Sequence, residues 1–182
     1  MEVGAWEGGC VVEETSVAGD GVRAFAVLDI DATLSDTLHR LHFLERRPKD
    51  WDSFFEAGKN DGPLEDGLVI AGSLARGHDI VYLTGRPERL RKDTEAWLQK
   101  YGLPKGRLLM RRSGDRRPSV VMKLGQLRQL AAERKVAILV DDDVAVCKAA
   151  EKAGFAVLHA DWALDPETQP TLFEAQETEG RT

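Results

Sequence analysis

The stretch AFAVLDIDATLSD, residues 24–36, opens with five consecutive apolar residues and sets Asp29 and Asp31 directly behind them. A continuous apolar run, rather than an alternating one, marks a strand buried on both faces, as in a parallel sheet. Three more runs have the same character: Ile80–Leu83 (IVYL), Val136–Val140 (VAILV) and Phe155–Leu158 (FAVL). Arg107–Met110 is a weaker fifth strand. Helical periodicity fills the gaps, through Leu68 with Ala71 to Ala75, Leu90/Trp97/Leu98/Tyr101, Val120/Leu124/Leu127/Ala131, and Val146/Cys147/Ala150 before Gly154. Strands alternating with helices predict a doubly wound α/β domain with a central parallel sheet.

Residues 36–62 break this rhythm. The segment is longer than an ordinary βα loop and carries its own aromatics, Phe43, Trp51, Phe54 and Phe55. It predicts a small helical insert over the carboxyl ends of the strands, where open α/β sheets bind ligands, and so a lid. The expected division is an acidic, mobile tail over 1–22 in which Val11–Val12 docks locally, one domain over 23–160 with the insert at 36–62, and an acidic tail over 161–182 with one short helix around Pro170–Gln176.

The strand ends carry the chemistry. Asp29 and Asp31 follow the first strand, Thr84, Gly85 and Arg86 follow the second, and Asp141, Asp142 and Asp143 follow VAILV. A lone Asp after a strand is usually a helix cap or a solvated turn. Parallel strands present their carboxyl ends to one edge, so here the groups converge. Carboxylates gathered in one crevice repel unless a cation neutralises them, and an all-oxygen set favours Mg²⁺ over zinc. Thr84 and the N–H groups after it are expected to open a helix and bind an anion. Lys123, near the start of the third helix, supplies a further positive charge. Together these describe a phosphoryl group held in place.

The order Asp-x-Asp-x-Thr, Thr-Gly-Arg, Lys and Asp-Asp resembles the haloacid dehalogenase superfamily of aspartate-dependent phosphatases, from about Arg23 to His159. The resemblance implies a three-layer, Rossmann-like fold. It implies Asp29 as nucleophile, Asp31 as general acid and then base, Thr84 on the phosphoryl oxygens and Lys123 neutralising the intermediate. Mg²⁺ would be held by Asp29, the backbone carbonyl of Asp31, and Asp142 or Asp141. Ala32 stands where this motif usually has Gly.

A narrower likeness rests on HRLHFL, PKDWDSFF, YLTGRPERLRKDTEAWL, LLMRRSGDRRPSVVMK and the final Asp-Asp before a helix. These resemble the phosphatase domain of phage and bacterial polynucleotide kinase/3′-phosphatases, which implies that Arg86 and Arg111 belong to the substrate site. Two positions depart from that pattern: Asp143, read here as a helix N-cap, replaces a basic residue, and Pro118-Ser119 replaces a more acidic stretch. No GxxxxGK[ST] loop occurs in the sequence, so a phosphatase domain without a kinase half is expected. The implied substrate is a nucleic-acid 3′-phosphate end; a nucleotide or another small phosphometabolite is the alternative. A phospho-acceptor signalling domain uses similar groups, but there the acidic pair comes first and the acceptor Asp later, so chain order favours the hydrolase.

Other features have plainer readings. His39 and His42 lack a third ligand and read as packing residues rather than a metal site. Trp51, Phe54 and Phe55 read as the insert's own core rather than a base-stacking platform. The basic run Lys105–Arg117 reads as a solvated face, with a polyanion grip as the alternative. Cys147 reads as buried.

Length, at 182 residues, suits a single domain, and no stretch approaches the roughly 20 apolar residues of a membrane helix. The first residues lack a secretory pattern, and two cysteines are too few for a disulfide framework, so a cytoplasmic location is expected. The net charge of −6 argues at first against nucleic acid. However, residues 1–22 hold five acids and no Lys or Arg, and residues 161–182 hold six acids and one Arg, which leaves +4 for the rest. The acidity belongs to the tails.

Overall fold

The computed structural model describes residues 21–45 and 47–163. In chain order the strands are β1 (Phe25–Leu28), β2 (Ser35–Asp36), β3 (Gly62–Pro63), β4 (Asp79–Pro87), β5 (Gly106–Arg111), β6 (Val136–Asp141) and β7 (Val157–His159). The helices are α1 (His42–Glu45), α2 (Trp51–Ala57), α3 (Glu65–Ala75), α4 (Arg91–Lys100), α5 (Ser119–Glu133) and α6 (Val144–Lys152). Five strands form one parallel sheet in the order β5-β4-β1-β6-β7. β1 lies at its centre, which is why its run is apolar on every residue.

Alternate side chains of the strands feed two cores. Ala26, Leu28, Ile80, Tyr82 and Val140 pack with Ala71 of α3 and Trp97 and Leu98 of α4. Phe25, Val27, Val81, Leu83 and Leu139 pack on the other face with Met122, Leu127 and Leu130 of α5 and Val146 and Ala150 of α6. The three-layer, Rossmann-like α/β fold is therefore the one expected. Among the described residues no helix is long and apolar enough to cross a membrane.

Residues between β2 and β3 form the insert, and the two-residue antiparallel ladder Ser35–Pro63 and Asp36–Gly62 closes its base. Its core joins Leu41, Leu44, Trp51, Phe54 and Phe55 to Ala32. Trp51 and Phe55 stack on each other, and Phe54 meets both edge-on. These aromatics are buried packing groups, as their spacing suggests.

Two strand boundaries differ from the sequence reading by more than one residue. The last strand begins at Val157 rather than Phe155, because Phe155 N–H closes the end of α6 on Ala150 O at 3.1 Å, just after left-handed Gly154. The second strand runs on to Pro87, whose extended φ and ψ delay the next helix until Arg91, beyond a single 3₁₀ turn. Residues 1–20 and 164–182, including the local docking expected at Val11–Val12 and the short helix expected around 170–176, lie outside the described residues.

Candidate active site

Asp29 follows β1 immediately, and its backbone N–H donates to Val140 O at 2.9 Å, an extra rung that ties it to β6. Asp141 ends β6 and Asp142 follows it, so the two acidic motifs meet across adjacent strands. One oxygen from each of Asp29, Asp141 and Asp142 lies within 4.8 Å of the others, and all three residues are buried. Lys123, the fifth residue of α5, reaches in from the other side. Its Nζ is 2.8 Å from Asp141 Oδ2 and 3.1 Å from Asp29 Oδ1.

The charges do not balance: three carboxylates face one ammonium. Burial, reinforced by Asp141 and Asp31 against the pull of Lys123, pushes the Asp29 carboxyl up to about 7. Burial, then Asp29 and Asp141, raises Asp142 well above its ordinary value, and burial raises Asp141. Lys123 is raised despite burial, because Asp141 and Asp29 hold its proton. Asp29 Oδ1 lies close to the Lys123 ammonium but receives no directed hydrogen bond. A buried carboxylate oxygen without a donor, in a cluster of excess negative charge, fits a hard divalent cation. Asp141 is already engaged, accepting from Lys123 Nζ and, at 3.1 Å, from Asp143 N–H. Among the described residues the Asp142 carboxylate accepts one long bond, from Thr33 Oγ1 at 3.3 Å, which leaves it the freer ligand.

The Asp31 carboxylate stands outside that cluster. Its Oδ1 accepts from Arg40 NH2 at 2.6 Å and from Arg86 Nε and NH2 at 2.8 and 2.6 Å, with Ser35 Oγ at 3.4 Å. Burial alone would raise this carboxyl, but Arg86 and Arg40 outweigh it and hold it below the usual carboxylate range. Ala32, the next residue, has φ 56, the left-handed conformation that explains why Gly is usual there. Its methyl group joins the insert core, which offsets part of the strain.

Thr84 is fully buried and its Oγ accepts from Arg86 N–H at 3.1 Å. The expected helix start at Thr84 is corrected here. Thr84-Gly85-Arg86 lies within β4, at an irregularity in its pairing with β5 between Leu83 and Pro87, so the α4 dipole does not begin there. Arg111 ends β5 and is buried, with NH1 donating to Arg117 O at 2.7 Å and Nε without a partner. The structure ties Asp29, Asp141, Asp142 and Lys123 into one cluster and joins Arg86 to Asp31; no described contact connects Arg111 to either.

Two residues escaped the sequence reading. Arg40 and Asp61, both in the insert and both fully buried, complete an ion network with Asp31 and Arg86. His39 is bound to Asp61 at 2.9 Å rather than placed for a metal. Asp143 is the N-cap expected of it, accepting from Ala145 N–H at 2.9 Å and Val146 N–H at 3.2 Å. Burial pushes the Cys147 thiol up to about 12, and its Sγ lies 3.2 Å from Asp141 O, so it is an unreactive packing group. The basic run divides: Arg107 pairs with Glu133, Arg117 with Asp115, and Arg112 and Arg116 are exposed.

Known proteins share this fold and one family matches the chain. No curated protein matches the chain. The family model of the polynucleotide kinase PNKP phosphatase domain matches residues 23–162. The chain is similar to a protein of the Pnkp1/Rnl/Hen1 complex, at 22% identity and a TM-score of 0.63, covering 81% of this chain and 50% of that one. It is similar at 23% identity and a TM-score of 0.62 to a chain of the Pnkp1/Rnl/Hen1 RNA repair complex, over 81% of this chain and 46% of that one. It thus spans about half the length of these relatives. The class C acid phosphatase from Bacillus anthracis shares the fold at 18% identity and a TM-score of 0.52, with 84% and 79% of the two chains covered. This chain is a phosphatase of the haloacid dehalogenase type and belongs to the family of polynucleotide kinase phosphatase domains.

Proposed function

We propose that the chain is a Mg²⁺-dependent phosphomonoester hydrolase that works through an aspartyl-phosphate on Asp29, with nucleic-acid 3′-phosphate ends as substrate. The observation that carries this reading is the buried Asp29/Asp141/Asp142 cluster, three carboxylates set against the one ammonium of Lys123. Asp29, Asp142 and the backbone carbonyl of Asp31 would hold Mg²⁺, with Asp141 held back by Lys123. Bound there, Mg²⁺ would offset the excess negative charge and polarise a phosphoryl oxygen.

Asp29 attacks phosphorus through one carboxylate oxygen while the ester oxygen leaves, and Asp31 supplies that oxygen with a proton. Asp31 then takes a proton from the water that attacks the aspartyl-phosphate, which releases inorganic phosphate and restores Asp29. Lys123 and Thr84 steady the charge on the phosphoryl group, and the Gly85 backbone together with Arg86 and Arg111 contacts its oxygens. Arg86 and Arg40 hold Asp31 as an anion when no phosphate is present. A phosphate dianion beside those guanidinium groups draws part of their charge from Asp31, which then carries a proton while its contacts with them still set its direction.

Three facts support a polynucleotide end as the substrate: the family match, the likeness to a chain of an RNA repair complex, and the +4 charge of residues 23–160. The test compares hydrolysis rates for an oligonucleotide 3′-phosphate, its 5′-phosphate isomer and a nucleoside monophosphate. A preference for the 3′ end is expected. Preference for the monomer would decide for a nucleotide or small-metabolite phosphatase instead.

A further inference from the structure

Asp61 sits at the end of the insert, fully buried, where a carboxylate needs partners. Its Oδ1 accepts from Arg40 Nε at 2.8 Å and meets His39 Nε2 at 2.9 Å. Its Oδ2 accepts from Arg40 NH2 and from Arg86 NH2, each at 2.7 Å. These are the same two guanidinium groups that converge on Asp31 Oδ1. The four side chains form a closed, buried, neutral square of two arginines between two aspartates. All three arginine bonds to Asp31 fall on Oδ1, and none falls on Oδ2. Asp31 is thereby turned by one oxygen and left with the other free.

Asp61 is itself held independently of its side chain. Its backbone carbonyl accepts from Trp97 Nε1 at 2.9 Å and Tyr101 Oη at 3.2 Å, both from α4 or its end. Arg40 is further fixed by Phe54, donating from NH1 to its carbonyl at 3.3 Å and lying over its ring at 4.2 Å. The insert core, β4 and α4 therefore meet at one residue.

We propose that Asp61 is a positioning residue that holds Arg40 and Arg86 in the geometry that orients Asp31 toward the leaving group. This rests on the assignment of Asp31 as proton donor. Without the Asp61 carboxylate, both guanidinium groups would close on Asp31 alone, and its free oxygen would no longer be presented in a fixed direction. A buried arginine that loses one of two anionic partners is left with charge that only the remaining carboxylate can compensate.

The test uses Asp61→Asn, which removes the charge while keeping the size and the backbone carbonyl that α4 holds. It compares two substrates in one sample, p-nitrophenyl phosphate and a simple alkyl phosphate, with Mg²⁺ present. The p-nitrophenolate leaves without protonation, whereas an alkoxide does not. The expected result is a kcat for the alkyl ester that falls at least about tenfold further than that for the p-nitrophenyl ester. The ratio is independent of how much of the sample is folded. Equal losses on both substrates, or no loss, would overturn the proposal. If Asp61→Asn gives no soluble protein, Asp61→Glu is read by the same ratio, since one added methylene displaces the carboxylate from the arginines. Asp29→Asn serves as the reference. Activity retained there would refute the aspartyl-phosphate reading itself, a result separate from the Asp61 ratio.

Discussion

Lys123 Nζ lies 2.8 Å from Asp141 Oδ2 in a site where both side chains are almost wholly excluded from water. One ammonium thus holds together two strand ends, because it also lies 3.1 Å from Asp29 at the end of β1. Removing one partner from such a set costs about 3–5 kcal/mol. Lys123→Met is expected to abolish turnover and to lower stability in urea by that amount at a pH of about 8. At a pH of about 5 the loss is smaller, because Asp29, pushed up to about 7, takes a proton instead. Equal destabilisation at both pH values would contradict this charge balance.

Metal and protons compete for the same carboxylates. An acid whose folded pKa lies above its unfolded value contributes stability at low pH that is lost as pH rises. For Asp29 that window runs from its ordinary 3.8 to about 7. Mg²⁺ favours the ionised form, so saturating Mg²⁺ is expected to raise Tm more at a pH of about 8 than at about 5. Excess EDTA is expected to stop hydrolysis. Thermal melts and a phosphate-release assay check both.

Gly67, in the first turn of α3, packs directly against the loop that carries Asp31. A Cβ there would lie 2.3 Å from Thr33 O, and a backbone atom cannot swing aside. Gly67→Ala is expected to cost about 1–3 kcal/mol and to lower kcat, since the shift passes from Thr33 to Asp31 and Asp142. Gly72→Ala, at a site open around its Cβ in the same helix, is the matched control and is expected to leave kcat unchanged and to raise stability by up to about 1 kcal/mol.

Asp143 distinguishes a cap from a ligand. Asp143→Ala is expected to cost about 1 kcal/mol, and Asp143→Ser, which retains an acceptor for the first turn of α6, only a few tenths. Mg²⁺ dependence is expected to be the same in both variants. A weakened requirement for Mg²⁺ in Asp143→Ser would make Asp143 a metal ligand.

Much of this could be read before any coordinates were known. The central strands bury both faces, so AFAVL and VAILV declare themselves, and the reactive residues sit at fixed places just after them. Asp29, Asp141, Asp142 and Lys123 converge because parallel strands end on one side. Arg40 and Asp61 gave no such signal: they lie 21 residues apart in an irregular insert, where no period links one position to another. The run from Thr84 to Pro87 looked like a strand end before a helix, and only the irregular pairing with β5 and the extended Pro87 carry the strand onward. Arg111 follows from the likeness to a motif, and its Nε, without an acceptor among the described residues, shows only where β5 places it beside the loop to Arg117.

The most direct measurement is the rate of phosphate release by Asp29→Asn, set beside its thermal melt. Asn keeps the shape but cannot attack phosphorus as a carboxylate does. Removing a nucleophile of this kind is expected to lower kcat by at least about 10³-fold. The fold should survive, since Lys123 keeps its contact with Asp141 and one of three crowded buried carboxylates is gone. Near-parental hydrolysis by this variant would contradict the aspartyl-phosphate mechanism.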